Sequence, residues 1–433
     1  MPSLTEGLDS LLRQKPINED DRRAAALFAL DAIANALAGR NTEAGRILAA
    51  HAGAEPRDSA GKAFVMGAMT HILEVDDLHR ASVVHPGCVV VPAALALGAR
   101  LDVRGHAFLD AVLWGFEAAC RIGSAVGPAH YRIWHNTATC GPFGAAAAAG
   151  RLLGLGSGAM VDAFGNAGSQ AAGLWQFIET GAMTKHLHAG HAASAGVTAA
   201  DLAARGFSGP PAILEGARGF FRATCPDAQP DAVLAEPDAP WALRRTSIKP
   251  WPCCRHTHPA IDAALELAPK LEGRTIERVE VETYGAALDV CDRPEPQSPY
   301  EAKFSLQHTV AAALADGKVD FDSFEAPARE AHAPLRPRIG ITLGDNYAAA
   351  YPAAWGSAVT VSLEGGERLA AARTHAKGDP EAPLDQDEMI AKARMLMQKA
   401  KIGPALANRL IVGLLAFAED GPLPDLSPFF GLA

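Results

Sequence analysis

The sequence predicts a mainly α protein: a large all-helical domain built from both chain ends, with a smaller α+β lid domain inserted between them. Three observations predict it. Apolar residues recur at helical spacing through Ala-rich text between residues 20 and 205. A proline-rich stretch over 206–246 then breaks the pattern. Beyond it apolar and polar residues alternate as in strands, before helical spacing returns near the C-terminus. The domains are therefore placed at 1–246 with 382–433, and at 247–381.

Taken in order, Leu27, Leu30, Ile33 and Leu37 recur at helical spacing, and Gly39 follows as a C-cap. The acids of His71-Ile72-Leu73-Glu74-Val75-Asp76-Asp77 are read as crowding the end of a helix. The runs Ala145–Ala149 and Ala192–Ala204 have high helix propensity and suit closely packed helices. Gly209-Pro210-Pro211, Pro226, Pro230, Pro237 and Pro240 mark irregular structure. Val279, Val281 and Thr283 alternate with Arg278, Glu280 and Glu282, a half-buried strand. A second strand runs over Ala358–Leu363, with Glu364-Gly365-Gly366-Glu367 as a hairpin turn into the next. Met389–Lys399 and Ala405–Ala418 are the closing helices.

A chain of 433 residues exceeds the usual single core, which is why two domains are expected. Hydrophobic content of 49% with 20% charged residues is that of an ordinary globular protein. A net charge of -10 argues against a nucleic-acid partner but not against a small anionic substrate in a local cationic pocket. Seven cysteines without regular spacing point to reduced thiols and a cytoplasmic setting. The N-terminus lacks a basic start followed by an apolar core, so no signal peptide is expected, and no apolar run is long enough to lead to a membrane.

Two segments carry most of the chemistry: Asp76-Asp77-Leu78-His79 with His85-Pro86-Gly87, and Thr184-Lys185-His186-Leu187-His188-Ala189-Gly190. Carboxylates, imidazoles and a lysine in such Ala- and Gly-rich surroundings are costly to bury unless paired or used. Glu74, Asp76 and Asp77 either cap the next turn and face solvent, or meet a ligand. His85 precedes an apolar helix whose partial positive charge favours a neutral base, or it simply bonds to backbone. His135 stands likewise before an Ala-rich helix that Asn136 and Thr137 can cap. Lys185 is the one charge between Thr180 and Ala200, and it either snorkels to solvent or serves a pocket as an acid/base. The histidine run after it, and Cys253-Cys254 with its histidines, invite a zinc reading. Neither has the usual ligand spacing, so no metal is expected. Lys249, Arg255, His256 and His258 form a basic cluster suited to clamping carboxylates, and His308 is expected to look into the same cleft between domains. With no dinucleotide fingerprint, Walker loop or nucleophile elbow, an enzyme without cofactor is what remains.

In this order, the segments Asp76-Asp77 with His85-Pro86-Gly87, His135 before Gly141-Pro142-Phe143-Gly144, Lys185 in its TKHLHAG context, Lys249-Pro250-Trp251-Pro252-Cys253 and Glu301-Ala302-Lys303-Phe304-Ser305 resemble the MmgE/PrpD family, over roughly residues 20–420. That family includes 2-methylcitrate dehydratases, cis-aconitate decarboxylases and iminodisuccinate epimerases. The resemblance implies a helical domain with an α+β lid, a homodimer, and metal-free chemistry on a small di- or tricarboxylate. By that resemblance His85, His135, Lys185 and Lys249 match positions lining the decarboxylase-type pocket. Glu74 stands where that pocket has aspartate, Leu78 where many members have threonine, and Cys254 and His308 where the decarboxylases have histidine and tyrosine, four departures that argue against a cis-aconitate decarboxylase and leave the substrate open. The expected activity is a lyase of the 2-methylcitrate dehydratase kind. Lys185, His85 and His135 are then its proton-transfer centre, with Lys249, Arg255, Asp76, Asp77, His258, His308 and Glu74 around the substrate. A dicarboxylate epimerase is the alternative, and a non-catalytic carboxylate-binding protein is the alternative of another class.

Overall fold

The computed structural model describes residues 2–53 and 58–430 and separates them into two compact units. One comprises Met1–Ile248 with Asp385–Ala433, the other Lys249–Leu384. The first is helical: α1 (Leu4–Gln14), α2 (Glu19–Gly39), α3 (Glu43–Gly53), α4 (Ser59–Thr70), α5 (Gly87–Leu101), α6 (Gly105–Ala125), α7 (Pro128–Tyr131), α8 (Asn136–Leu152), α9 (Ser157–Gly168) and α10 (Thr184–Ala203). The helices Gln386–Lys399 and Pro404–Leu415 return to it from the C-terminal end. No helix of the described residues is long and apolar enough to cross a membrane.

Local signals set the helix starts. Ser3 with Glu6 and Asn18 with Asp21 form capping boxes at α1 and α2, satisfying backbone N–H groups that have no intrahelical partner. Helices α5 and α8 are apolar around their whole circumference, with Gly87–Gly98 and Asn136–Gly150 buried throughout, so they occupy the centre of the unit. Small residues let the helices approach closely. A Cβ on Gly196 of α10 would lie 2.3 Å from the Ala145 side chain, 2.5 Å from the Ala146 nitrogen and 2.6 Å from the Pro142 carbonyl oxygen of α8.

The second unit holds a four-stranded sheet of order β2-β1-β3-β4, with β1 (Ile276–Thr283), β2 (Ile339–Leu343), β3 (Ser357–Leu363) and β4 (Arg368–Arg373). Strands β1 and β2 run parallel, Val279 opposite Ile339, and the other pairs are antiparallel. Val279, Val281 and Thr283 are buried as the alternation requires. Gly365 and Gly366 take φ of 99° and 88°, the left-handed backbone demanded by a tight hairpin. Helix His258–Leu267 packs on β3 and β4.

Three readings of local structure change. Helix α4 stops at Thr70, so residues 71–86 form an extended loop rather than a helix end, and Glu74 there has φ of 62°. Gly39 is the last helical residue and not the cap; its Cβ would meet the Met69 carbonyl oxygen at 2.0 Å, so close approach requires it. Strand β2 carried too weak an alternation to be read from sequence, since it borders the sheet with only Ile339 buried.

Glycine to alanine normally stabilises a helix interior by up to about 1 kcal/mol. At Gly196 the sign reverses: overpacking against α8 predicts that Gly196→Ala destabilises by about 1–3 kcal/mol in urea unfolding, and a more stable variant contradicts this packing.

Candidate active site

The loop between α4 and α5 is seated by its acids. Asp77 accepts the Gly87 backbone N–H at 3.1 and 3.0 Å and thereby caps α5. This explains the glycine of His85-Pro86-Gly87: any Cβ would press on the Asp77 carboxylate at 2.8 Å. Asp76 is held by His71, whose Nδ1 lies 2.6 Å from Oδ2. Lys392, from the helix Gln386–Lys399, donates to the Val75 carbonyl at 2.7 Å and pairs with Asp31 of α2 at 2.5 Å. Asn136 donates to the Ser82 carbonyl, tying the far end of the loop to α8. Burial pushes Asp77 well above the ordinary carboxylate range, with Asp76 and Asp31 adding to the effect.

The three residues expected at the proton-transfer centre fall in this unit. The His85 Nδ1 donates to the Asp77 carbonyl at 2.5 Å, and its backbone N–H donates to Thr137. In the neutral ring Nδ1 then carries the proton and Nε2 the lone pair, the arrangement of a base. His135 is the N-cap residue of α8 and is anchored by its backbone N–H to the Gly173 carbonyl. Its ring nitrogen Nδ1 is 3.3 Å from Nδ1 of His188, and its ring lies 4.8 Å from Trp175. Burial pushes His135 well below its ordinary value, reinforced by His71 and Lys185, so this imidazole is neutral. Lys185, in the first turn of α10, forms an ion pair with Glu74 at 2.5 Å. Glu74 holds its left-handed backbone where it reaches that lysine, a cost of order 1–3 kcal/mol of the kind found at functional sites. Glu74 is thus the partner of Lys185, and Asp77 accepts the first N–H of α5.

Three histidines join this cluster that sequence reasoning did not select. His71 stacks on His135 with centroids 5.6 Å apart and meets His85 edge-on at 4.8 Å. His186 and His188 are both pushed down to about 4, chiefly by burial. The available signals were the five-residue spacing of His71 from Asp76 and the placement of His188 one turn beyond Lys185.

The basic cluster of the second unit is different. Arg255 is buried, pairs with Asp379 at 2.5 Å, and donates to Nδ1 of His258 and to the Lys377 carbonyl. Those bonds engage both terminal nitrogens of the guanidinium and tie Arg255 and His258 into the framework of the unit. His308 is fully buried, its Nε2 donating to the Ser323 carbonyl and its ring against Phe324 and His332. Lys249 is buried at the start of this unit. His256 shares a 2.6 Å hydrogen bond with the Tyr284 hydroxyl, stacks on Trp355, and is pushed to about 4 by burial and by Lys249.

Donor atoms of His71, Asp76 and Cys88, of Asp76, Asp77 and His85, and of His375, Asp379 and Glu381 lie within 4.8 Å of one another. In each set an oxygen is already committed, to His71 or the Gly87 N–H in the first unit and to Arg255 in the second. These are read as hydrogen-bonded networks.

Residues 11–233 match the MmgE/PrpD N-terminal domain and residues 251–411 the MmgE/PrpD C-terminal domain. The chain belongs to the MmgE/PrpD family. It is similar to cis-aconitate decarboxylase of Aspergillus terreus, 29% identical over 278 residues, which span 59% of this chain and 56% of that protein. It is also similar to cis-aconitate decarboxylase of Homo sapiens, 30% identical over 278 residues, 60% of this chain and 56% of that protein. The matched region is thus little more than half the length of these relatives.

The neutral imidazoles give a pH prediction with a definite sign. Unfolded histidines titrate near 6.5, whereas His186 and His188 are held at about 4 and His135 well below its ordinary value. Between about pH 6.5 and 4 the unfolded chain therefore binds protons that the folded chain does not, and acidification lowers stability. Asp77 acts oppositely, because its raised folded value makes its contribution fall as pH rises above the ordinary 3.8. Three imidazoles outweigh one carboxyl here, so the urea midpoint falls from pH 7 to pH 5 and His188→Gln flattens that slope. A midpoint independent of pH over this range contradicts the assignment.

Proposed function

We propose that this protein is a lyase acting on a small di- or tricarboxylate by proton abstraction beside a carboxylate, followed by elimination. The observation that carries this reading is the grouping of a base-configured His85, a neutral His135 and the Lys185–Glu74 ion pair in one unit. In a dehydration, Nε2 of His85 takes the α-proton, the β C–O bond breaks as the double bond forms, and the Lys185 ammonium protonates the departing hydroxyl. Water and an unsaturated acid are the products. With His135, His186 and His188 neutral, the Lys185 ammonium supplies the positive charge that stabilises the carbanionic transition state, the largest electrostatic contribution expected. His135 contributes a neutral hydrogen bond. Lys249 is assigned to a substrate carboxylate through the family resemblance. Arg255 is not, given its bonds to Asp379.

A second reading is decarboxylation, favoured by the activity in the names of the relatives. There the C–C bond to a carboxylate breaks, carbon dioxide leaves, and the same ammonium or imidazole protonates the carbanion. Epimerisation, in which the abstracted proton is returned to the opposite face, uses the same groups.

A turnover screen over methylcitrate, citrate, the aconitate isomers and amino-dicarboxylates separates the readings. Dehydration creates absorbance from a new double bond, decarboxylation releases carbon dioxide, and epimerisation labels recovered substrate in D2O without either. Lys185→Ala is expected to lower kcat by about two orders of magnitude or more with the fold intact. Unchanged turnover in a folded Lys185→Ala variant removes Lys185 from the mechanism. Ligand-induced stabilisation without turnover on any substrate places the protein among binders instead.

A further inference from the structure

The fully buried imidazole of His71 packs against the rings of His85 and His135 and has no part in the steps above. Its Nδ1 is 2.6 Å from Asp76 Oδ2, and the same oxygen is 3.5 Å from Nδ1 of His85. One buried carboxylate oxygen therefore stands between two imidazoles. The His71 ring is parallel to that of His135 within 16° and edge-on to that of His85, so its position sets both. Its Nε2 is buried without a hydrogen-bond partner among the described residues. Leaving such a nitrogen unpaired costs on the order of 1–3 kcal/mol, and natural proteins seldom keep one without a use. The titratable groups facing His71 from other elements are His135 on α8, His186 and His188 on α10, and Cys88 on α5.

We propose that His71 is a positioning residue of the proton-transfer centre, acting on His85 through Asp76. This rests on the reading of His85 as the base. When His85 accepts a proton at Nε2, the imidazolium charge appears beside Asp76, which must stay ionised to stabilise it. Donation from Nδ1 of His71 to Oδ2 keeps the carboxylate ionised in a dry site and fixes the oxygen on the His85 side. The proton stays on His71 throughout. Removal of His71 deprives a buried carboxylate of its donor, so Asp76 takes up a proton itself and ceases to support the charged form of His85.

The test uses His71→Asn, which retains an N–H toward Asp76, beside His71→Leu, which does not. In the full-length protein, the His85 imidazole is followed by NMR against pH, a measurement that needs no turnover. A downward shift of the His85 midpoint by about half a unit or more in His71→Leu, largely restored in His71→Asn, is expected. On whichever substrate the wild-type protein turns over, His71→Leu lowers kcat roughly 10–100-fold with KM little changed, and His71→Asn recovers part of the loss. An unmoved His85 midpoint in folded His71→Leu overturns the proposal. Should His71→Leu not fold, an unmoved midpoint and wild-type kcat in His71→Gln, whose longer side chain misplaces the donor, overturn it equally. A shifted midpoint with no wild-type turnover supports the coupling while removing the lyase reading.

Discussion

Burial of Asp76 and Asp77 in the loop between α4 and α5 is the constraint on which the rest of the first unit depends. An ionised carboxylate taken out of water costs several kcal/mol unless it is paired and hydrogen-bonded. Asp76 meets it with a hydrogen-bonded imidazole, and Asp77 by a carboxyl that burial pushes well above the ordinary range. Asp77 is spanned by the first N–H of α5, Asp76 by His71, Asp31 of α2 by Lys392, and Lys392 also ties down the Val75 carbonyl. The lysine comes from residues more than three hundred positions away, which gives the return of the C-terminal helices a chemical purpose beyond packing.

Satisfying those acids decides the charge of the site. Imidazoles crowded around a dry carboxylate pair are held neutral by desolvation, so His135, His186 and His188 act as hydrogen-bonding surfaces. Lys185 pairs with Glu74, whose left-handed backbone lies where the carboxylate reaches it. The site thus sets the Lys185–Glu74 pair beside three neutral rings. It suits chemistry in which negative charge appears on the substrate during reaction and must be met where it appears.

The second unit spends its cations differently. Arg255 binds an aspartate, a histidine and backbone carbonyls, which tie the start of the helix His258–Leu267 to the segment after β4. A basic cluster in sequence reads as a ligand clamp only while its donors remain available. Once a guanidinium is buried its five donors demand partners, and the nearest acid of the fold takes them.

The sequence by itself determined the helix-rich class, the strand alternation about Val279 and Val281, the Gly365-Gly366 turn, and the family motifs that single out His85, His135 and Lys185. These are local patterns of spacing and residue type, and local geometry obeys them wherever the chain goes. Only the tertiary structure decided the partners. The loop from His71 to Pro86 has no period to read, because long-range bonds to Ser247, Asn136 and Lys392 shape it. His71 meets Asp76 and two other rings, Arg255 meets Asp379, and His308 meets the Ser323 carbonyl, partners that no local pattern announces. A buried polar group is defined by whatever pairs with it, and that pairing exists only once the chain has folded.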